Sequence, residues 1–346
     1  MMSRAKHWMM LCTLLACVCT VTLAQNKAKL RIYFIDVEGG QATLFVSPAG
    51  ESLLIDTGWP GNNGRDADRI AAAAKKAGIS KLDYVLITHF HTDHVGGVPQ
   101  LAARIPVGTF IDHGPNRETT DADTEQGYEA YQKLLATGKY KNITVKPGDT
   151  LPIKGFKAIV ISADGNLIDH PLPGGGEANT YCKTSETRPP DQTENARSLG
   201  VLITSGKLHI LDLGDLTWDK EMQLMCPTNK LGHVNVLIVS HHGWYQSSSP
   251  ALVDAIHPQV AIMDNGAKKG GSKATLETFK NIPGLEALWQ LHYSEEGGQS
   301  LNPQDTFIAN PQGPDNGNDI ELTATEDGSF SVLNPRTGAS KSYSAK

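Results

Sequence analysis

The sequence predicts an α/β chain of the α+β kind, two β-rich halves with covering helices, and three observations carry that reading. From Lys29 the chain runs as short apolar strands, KLRIYFID, QATLFVS and SLLID, punctuated by Glu38-Gly39-Gly40 and Pro48-Ala49-Gly50, a hairpin-like antiparallel signal. The Ala-rich segment from Arg65 to Gly78 ends on glycine and reads as a helix, followed by a buried-type strand from Leu82 to Thr88. The same rhythm returns late: strands at Val234 to Ser240 and Gln259 to Asp264, with helices from Pro250 to Ile256 and from Gly271 to Asn281. Thirty-four Gly and 19 Pro add turns and argue against a bundle of long helices.

The remaining elements are read in the same way. Two polar, turn-rich stretches, Gly114 to Gly127 and Pro171 to Thr193, separate the halves and read as substrate-facing loops or as solvated insertions. Strands are expected at Ile320 to Thr325 and Ser329 to Leu333, and residues 336–346 as a frayed tail. A length of 346 residues, 39% hydrophobic and 20% charged, excludes disorder across the whole chain, and residues 27–335 are expected to form a single domain.

The first residues carry their own message. Arg4 and Lys6 precede an apolar run from Trp8 to Val21, and Thr22-Leu23-Ala24 resembles a small-residue cleavage site, so residues 1–24 read as an export signal. A periplasmic or secreted location is expected. Leu14-Leu15-Ala16-Cys17 loosely resembles a lipoprotein signal, which would leave the protein lipid-anchored through Cys17. No later apolar run is long enough to span a bilayer. Without residues 1–24 the chain holds 29 basic against 37 acidic side chains, a net charge of −8 that disfavours a nonspecific nucleic-acid coat protein. Three of the five Cys fall within the signal, and Cys182 and Cys226 are left either to pair or to stand as free thiols.

The strongest chemical signal is THFHTDHVGG, Thr88 to Gly97, directly after an apolar strand. His89, His91, Asp93 and His94 fall within six residues, and imidazole nitrogens and carboxylate oxygens are the ligands that zinc, manganese or iron accept. His89 and His91, two apart in extended chain, share a side; Asp93 and His94 open the next helix and supply a second set. His113 after the strand Val107 to Ile111 could add a ligand or a substrate contact, or sit in a surface turn. Lys268 and Lys269 read as ordinary solvated lysines or could meet an anionic substrate, and His292 reads as structural or exposed.

The pattern His-x-His-x-Asp-His resembles the signature of the metallo-β-lactamase superfamily, and further motifs follow in order over about residues 30–265. LLIDTG, Leu53 to Gly58, resembles the first motif, in which Asp56 would buttress the metal histidines. LDLGDL, Leu211 to Leu216, resembles the strand-end Gly-Asp motif, which would make Asp215 the candidate bridging carboxylate between two metals. VSHHG, Val239 to Gly243, resembles the last motif, with His241 as the expected ligand and His242 as the alternative. The family places another histidine where this chain has Asn195, in ENARSLGVLI, so the first site is weak, vacant, or completed by water or another residue. The pattern of Asn195 and Ser198 before a strand, Gly-Asp and His-His-Gly resembles a subgroup related to the hydrolase domain of the bacterial DNA-uptake channel protein.

The resemblance implies a four-layer αββα sandwich and one or two divalent transition-metal ions, zinc first, with manganese and iron as alternatives. It further implies a metal-dependent hydrolase in which Asp93 and Asp215 position a water nucleophile, and a phosphodiesterase acting on a small molecule or short nucleotide. Hydrolysis of carbon-centred esters, lactones or β-lactams on the same site, and a noncatalytic metal-binding or ligand-binding module, stand as alternatives. No obligate protein partner is inferred.

Overall fold

The apolar strands assemble into two sheets in a computed structural model that describes residues 29–346. Residues 1–24, expected to be an export signal, and Cys17 with them lie outside the described residues. In the first half, β1 (Leu30–Phe34), β2 (Thr43–Val46), β3 (Ser52–Ile55), β4 (Leu82–Leu86), β5 (Val107–Asp112) and β6 (Lys141–Thr144) lie side by side in chain order. The hairpins β1–β2–β3 are antiparallel, and β3 to β6 are parallel. An eight-stranded sheet follows from β7 (Lys157–Ala163), β8 (Asn166–Leu167), β9 (Gly200–Ser205), β10 (Leu208–Asp212), β11 (Val236–Ile238), β12 (Val260–Met263), β13 (Ala287–His292) and β14 (Ile308–Asn310). Its order is β14-β13-β12-β11-β10-β9-β7-β8, with β10 to β14 parallel. The chain then returns to the first sheet as β15 (Ile320–Ala324), β16 (Ser329–Asn334) and β17 (Ala339–Ser344), with β15 beside β1, so that sheet has nine strands.

The near-continuous apolar strands make sense once both faces of each sheet are covered. Ile32 and Phe34 of β1 and Leu53 and Ile55 of β3 point into the core between the sheets, while Tyr33 and Leu54 point outward. That outer face is covered by α1 (Arg65–Lys76), the short α2 (Thr92–Val95) and α3 (Val98–Ala102), and α4 (Ala122–Leu135), through residues such as Ile70, Val95, Leu101 and Tyr131. On the second sheet α5 (Trp218–Met225), α6 (Pro250–Val253) and α7 (Lys273–Asn281) bury Leu224, Leu252 and Phe279 against β11 and β12. Helix, sheet, sheet, helix is the expected αββα sandwich. No helix among the described residues is long and apolar enough to cross a membrane.

Three expectations are corrected. The frayed tail is in fact the edge strand β17, paired along its length with β16; its Tyr343 stacks on Phe330 with ring centroids 5.0 Å apart and accepts a 3.1 Å hydrogen bond from Trp289 Nε1. The stretch from Gly114 to Gly127 becomes helical at Ala122, where the Asp121 side chain caps the Thr124 amide. The helix expected to reach Ile256 stops at Val253. Between the two open readings of the cysteines, the structure has Cys182 bonded to Cys226, tying the loop Pro171 to Thr193 to the end of α5.

Candidate metal centre

The site grows from strand ends. His89, Asp215 and His241 each lie three residues beyond a parallel strand, β4, β10 and β11, so both sheets deliver ligands to one edge of the sandwich. The turn after β11 is unusual: His241 and His242 both adopt left-handed backbone, φ 57° and 53°, a conformation that costs a non-glycine residue about 1–2 kcal/mol. Two successive left-handed residues bring both imidazoles to the centre. Asp56 is likewise left-handed, φ 59°, and fully buried beneath the histidines.

Asp215 Oδ2 is the hub. His94 Nε2 lies 3.3 Å from it, His241 Nε2 3.4 Å, His242 Nε2 3.5 Å and His89 Nε2 4.0 Å. Asp93 Oδ2 stands 3.3 Å from His94 Nε2 and 3.2 Å from His242 Nε2, and the last two nitrogens are 3.2 Å apart. Ligand atoms about 2.1 Å from one ion at tetrahedral angles are about 3.4 Å from one another, so Asp93, His94, Asp215 and His242 are spaced to hold one. His242 therefore joins the Asp93 and His94 group, where His241 had been the expected ligand. His241 faces the other side, with Nε2 3.5 Å from the Asn195 amide nitrogen. There His89 Nε2, Asp215 Oδ1 and Asn195 Oδ1 are buried without a hydrogen-bond partner, as expected of groups reserved for a ligand.

Behind the candidate ligands, hydrogen bonds orient the His89, His91 and His94 rings. Asp56 Oδ2 takes His94 Nδ1 at 2.7 Å and the Thr88 hydroxyl at 2.7 Å, and Oδ1 accepts from the Thr88 amide. Thr88 Oγ1 thereby spends its proton on Asp56 and accepts from His89 Nδ1 at 3.0 Å, leaving His89 Nε2 with its lone pair. Ser198, the other flagged residue behind the site, accepts from the Asp215 amide at 3.2 Å and lies 3.5 Å from His89 Nδ1. Asp264 faces His242 Nδ1 at 3.5 Å.

His91 is held by a residue that the sequence reading missed: Glu118 Oε2 takes His91 Nε2 at 2.9 Å and also the Glu194 amide at 2.8 Å. The signal was weak, one of four acids in the polar, turn-rich stretch from Gly114 to Gly127. His113 is neither a ligand nor in a surface turn. It is buried and gives Nε2 to Glu194 at 3.0 Å, and Glu194 also accepts from the Phe90 and Arg117 amides, clamping the turn that carries Asn195 onto the His-x-His strand end. His292 is structural, buried with Nε2 2.7 Å from Asp36.

Electrostatics follow the geometry. Burial, helped by His94 and His91, holds His89 well below the ordinary imidazole value. Burial also brings His241 down to about 4, so both are neutral and able to donate a lone pair. Burial and the Lys269 ammonium oppose charge on His242, yet Asp215 and Asp264 outweigh them and push it up to about 10. Burial opposes ionisation of Asp93, but Lys269 and His94 hold its carboxyl well below the usual range. Lys269 reaches Asp93 Oδ2 and the Gly39 carbonyl, with its ammonium 5.3 Å from the centre of the Trp59 ring. Beside it opens a cavity of about 260 Å³, lined by His241, His242, Trp244, Lys268, Lys269 and Gly270.

Residues 35–183 match the family model of the metallo-beta-lactamase superfamily. Recombination protein 2 of Haemophilus influenzae is 25% identical over 243 residues, 70% of this chain and 25% of that protein. A hydroxyacylglutathione hydrolase of Rhodopseudomonas palustris is 30% identical over 105 residues, 30% of this chain and 33% of the relative. The chain spans about a quarter to a third of the length of these curated relatives. The metallo-beta-lactamase fold protein YhfI of Bacillus subtilis is 15% identical with a TM-score of 0.46, over 75% of this chain and 95% of that one. The matched segment, residues 35–183, contains Asp56 and the whole of the His-x-His-x-Asp-His loop, and over that stretch the chain is similar to the metallo-beta-lactamase superfamily.

Proposed function

We propose that this chain is an exported, metal-dependent hydrolase of phosphodiesters, acting on a small nucleotide or a short nucleic-acid-like strand. The observation that carries the hydrolase reading is the Asp215 carboxylate flanked by four imidazole nitrogens at 3.3–4.0 Å, one pair of which shares a tetrahedral spacing with Asp93. Divalent ions held there would supply Lewis-acid polarisation of an ester and an activated water. The chain's own groups do the rest. Asp215 and Asp93 orient the nucleophile's side of the site, and the Asp56, Thr88 and Glu118 bonds keep the imidazoles from turning. Lys269 and Lys268, on one wall of the cavity, meet the charge that a phosphodiester spreads over its oxygens, and Trp244 offers a flat apolar wall.

The choice of phosphodiester is supported by these two lysines and by the likeness to a recombination protein, in keeping with the resemblance to the DNA-uptake channel's hydrolase domain. Hydrolysis of a carbon-centred ester is the second reading, favoured by the likeness to a hydroxyacylglutathione hydrolase. Zinc is the first expectation for the ion, and export rests on residues 1–24. The metal-loaded chain should cleave bis(p-nitrophenyl) phosphate faster than a chromogenic cephalosporin. Turnover of the cephalosporin or of lactones, with none of the phosphodiester under zinc, manganese or iron, would reverse the order of the two readings.

A further inference from the structure

Asn195 stands where the resemblance to the metallo-β-lactamase superfamily implies a histidine, and we infer that His241 takes over that coordination place, so that the tandem His241-His242 serves both sides of Asp215, one residue each. The inference rests on the proposed metal-dependent reading and concerns which side chain completes the first site. His242 and His94 stand together beside Asp93, 3.2 Å apart. His241 does not join them: its ring centre is 6.3 Å from that of His242, with the planes at 76°. It turns instead toward Asn195, whose amide nitrogen is 3.5 Å from His241 Nε2, and toward Asp215 Oδ2 at 3.4 Å. This is the side on which His89 Nε2, Asp215 Oδ1 and Asn195 Oδ1 are buried without partners.

The protonation pattern fits a ligand. Ser247 gives its hydroxyl proton to the Leu216 carbonyl at 2.8 Å, so toward His241 Nδ1, 3.4 Å away, its oxygen acts as acceptor. The His241 proton then sits on Nδ1, and the Nε2 lone pair faces Asp215. The same device fixes His89 through Thr88 and Asp56. A carboxamide at 195 is a poor ligand for a borderline-soft ion, whereas an imidazole beside it is a good one. The left-handed backbone at both positions is what lets neighbouring residues face opposite sides of one carboxylate.

The test uses the full chain stripped by chelator and titrated with cobalt(II), read by metal content per chain and by visible absorption. Wild type should bind two ions, and Asn195→Ala should also bind two. His241→Ala should keep the ion beside Asp93 and bind the other at least about a hundredfold more weakly, while Asn195→His added to His241→Ala should restore it. Asn195→His alone, which leaves the strained turn untouched, should leave the count at two with unchanged affinity. Two tightly held ions in folded His241→Ala with the wild-type spectrum would overturn the inference. So would a single ion in wild type that rises to two in Asn195→His, since the place would then have been open. No cobalt in wild type would defeat the metal-dependent reading itself, a result distinct from either.

Discussion

Asp215 and His91 show how differently two candidate ligands can be supported. Asp215 touches four imidazoles through one oxygen, whereas His91 is partly open to solvent and depends on Glu118 for its orientation. Asp215→Ala and His91→Ala should each lower hydrolysis at least about a hundredfold with the near-ultraviolet dichroism unchanged. Glu118→Gln should weaken metal binding about tenfold, because the amide can still accept from His91 but without charge. Full metal affinity in Glu118→Ala would show that the loop does not position His91. At this scale the sequence was legible where residue type and spacing suffice: His89, His91, Asp93 and His94 converge as their spacing implies. It was not legible at His241 and His242, because two adjacent left-handed residues reverse the usual expectation that neighbours point apart and only one reaches the site. Glu118 acts across 27 residues of chain, a distance that no local pattern records.

The elements of the first half were readable from apolar runs and turn residues, and β1 to β4 and α1 fall where those runs lie. β17 escaped because ASKSYS offers one large apolar side chain, Tyr343, and its place is set by pairing with β16. Deleting residues 336–346 should therefore do more than trim a loose end. Loss of Tyr343 against Phe330 and Trp289 is expected to lower the unfolding free energy by about 3 kcal/mol. An unchanged urea midpoint would contradict the edge-strand role. The Cys182–Cys226 bond closes a span of 44 residues that includes the strands β9 and β10 and the Gly-Asp turn. Replacing both cysteines by alanine should cost about 2–4 kcal/mol, seen as a lower melting temperature under oxidising conditions and no difference once the wild type is reduced.

For the molecule as a whole, the sandwich places several carboxyls where water does not reach. Glu221 in α5 is fully buried, accepting from the Ser248 and Ser249 amides at 2.8 and 2.6 Å, and burial pushes its pKa up to about 7. A carboxyl raised in the folded state holds its proton more tightly there than in the unfolded chain. Its contribution to stability is complete below the ordinary value near 4.5 and is lost as pH rises through about 7. Between pH 5 and pH 8, wild type should thus lose up to about 3 kcal/mol relative to Glu221→Gln, measured as unfolding free energies at both pH values. Equal losses in the two proteins would show that Glu221 ionises as freely folded as unfolded. Two β-rich halves with covering helices were legible from the apolar strands, whereas the αββα layering was expected only from the resemblance of the motifs. The disulfide was not legible, since two cysteines in a sequence do not reveal the geometry that lets them meet.

The edge between the two sheets should hold divalent ions on these candidate ligands. Anomalous scattering from crystals of the full chain grown with zinc tests it most directly. One peak should lie among Asp93, His94, Asp215 and His242, and a second between His89, His91, Asp215 and His241. A well-ordered crystal with no anomalous peak within reach of Asp215 would contradict it.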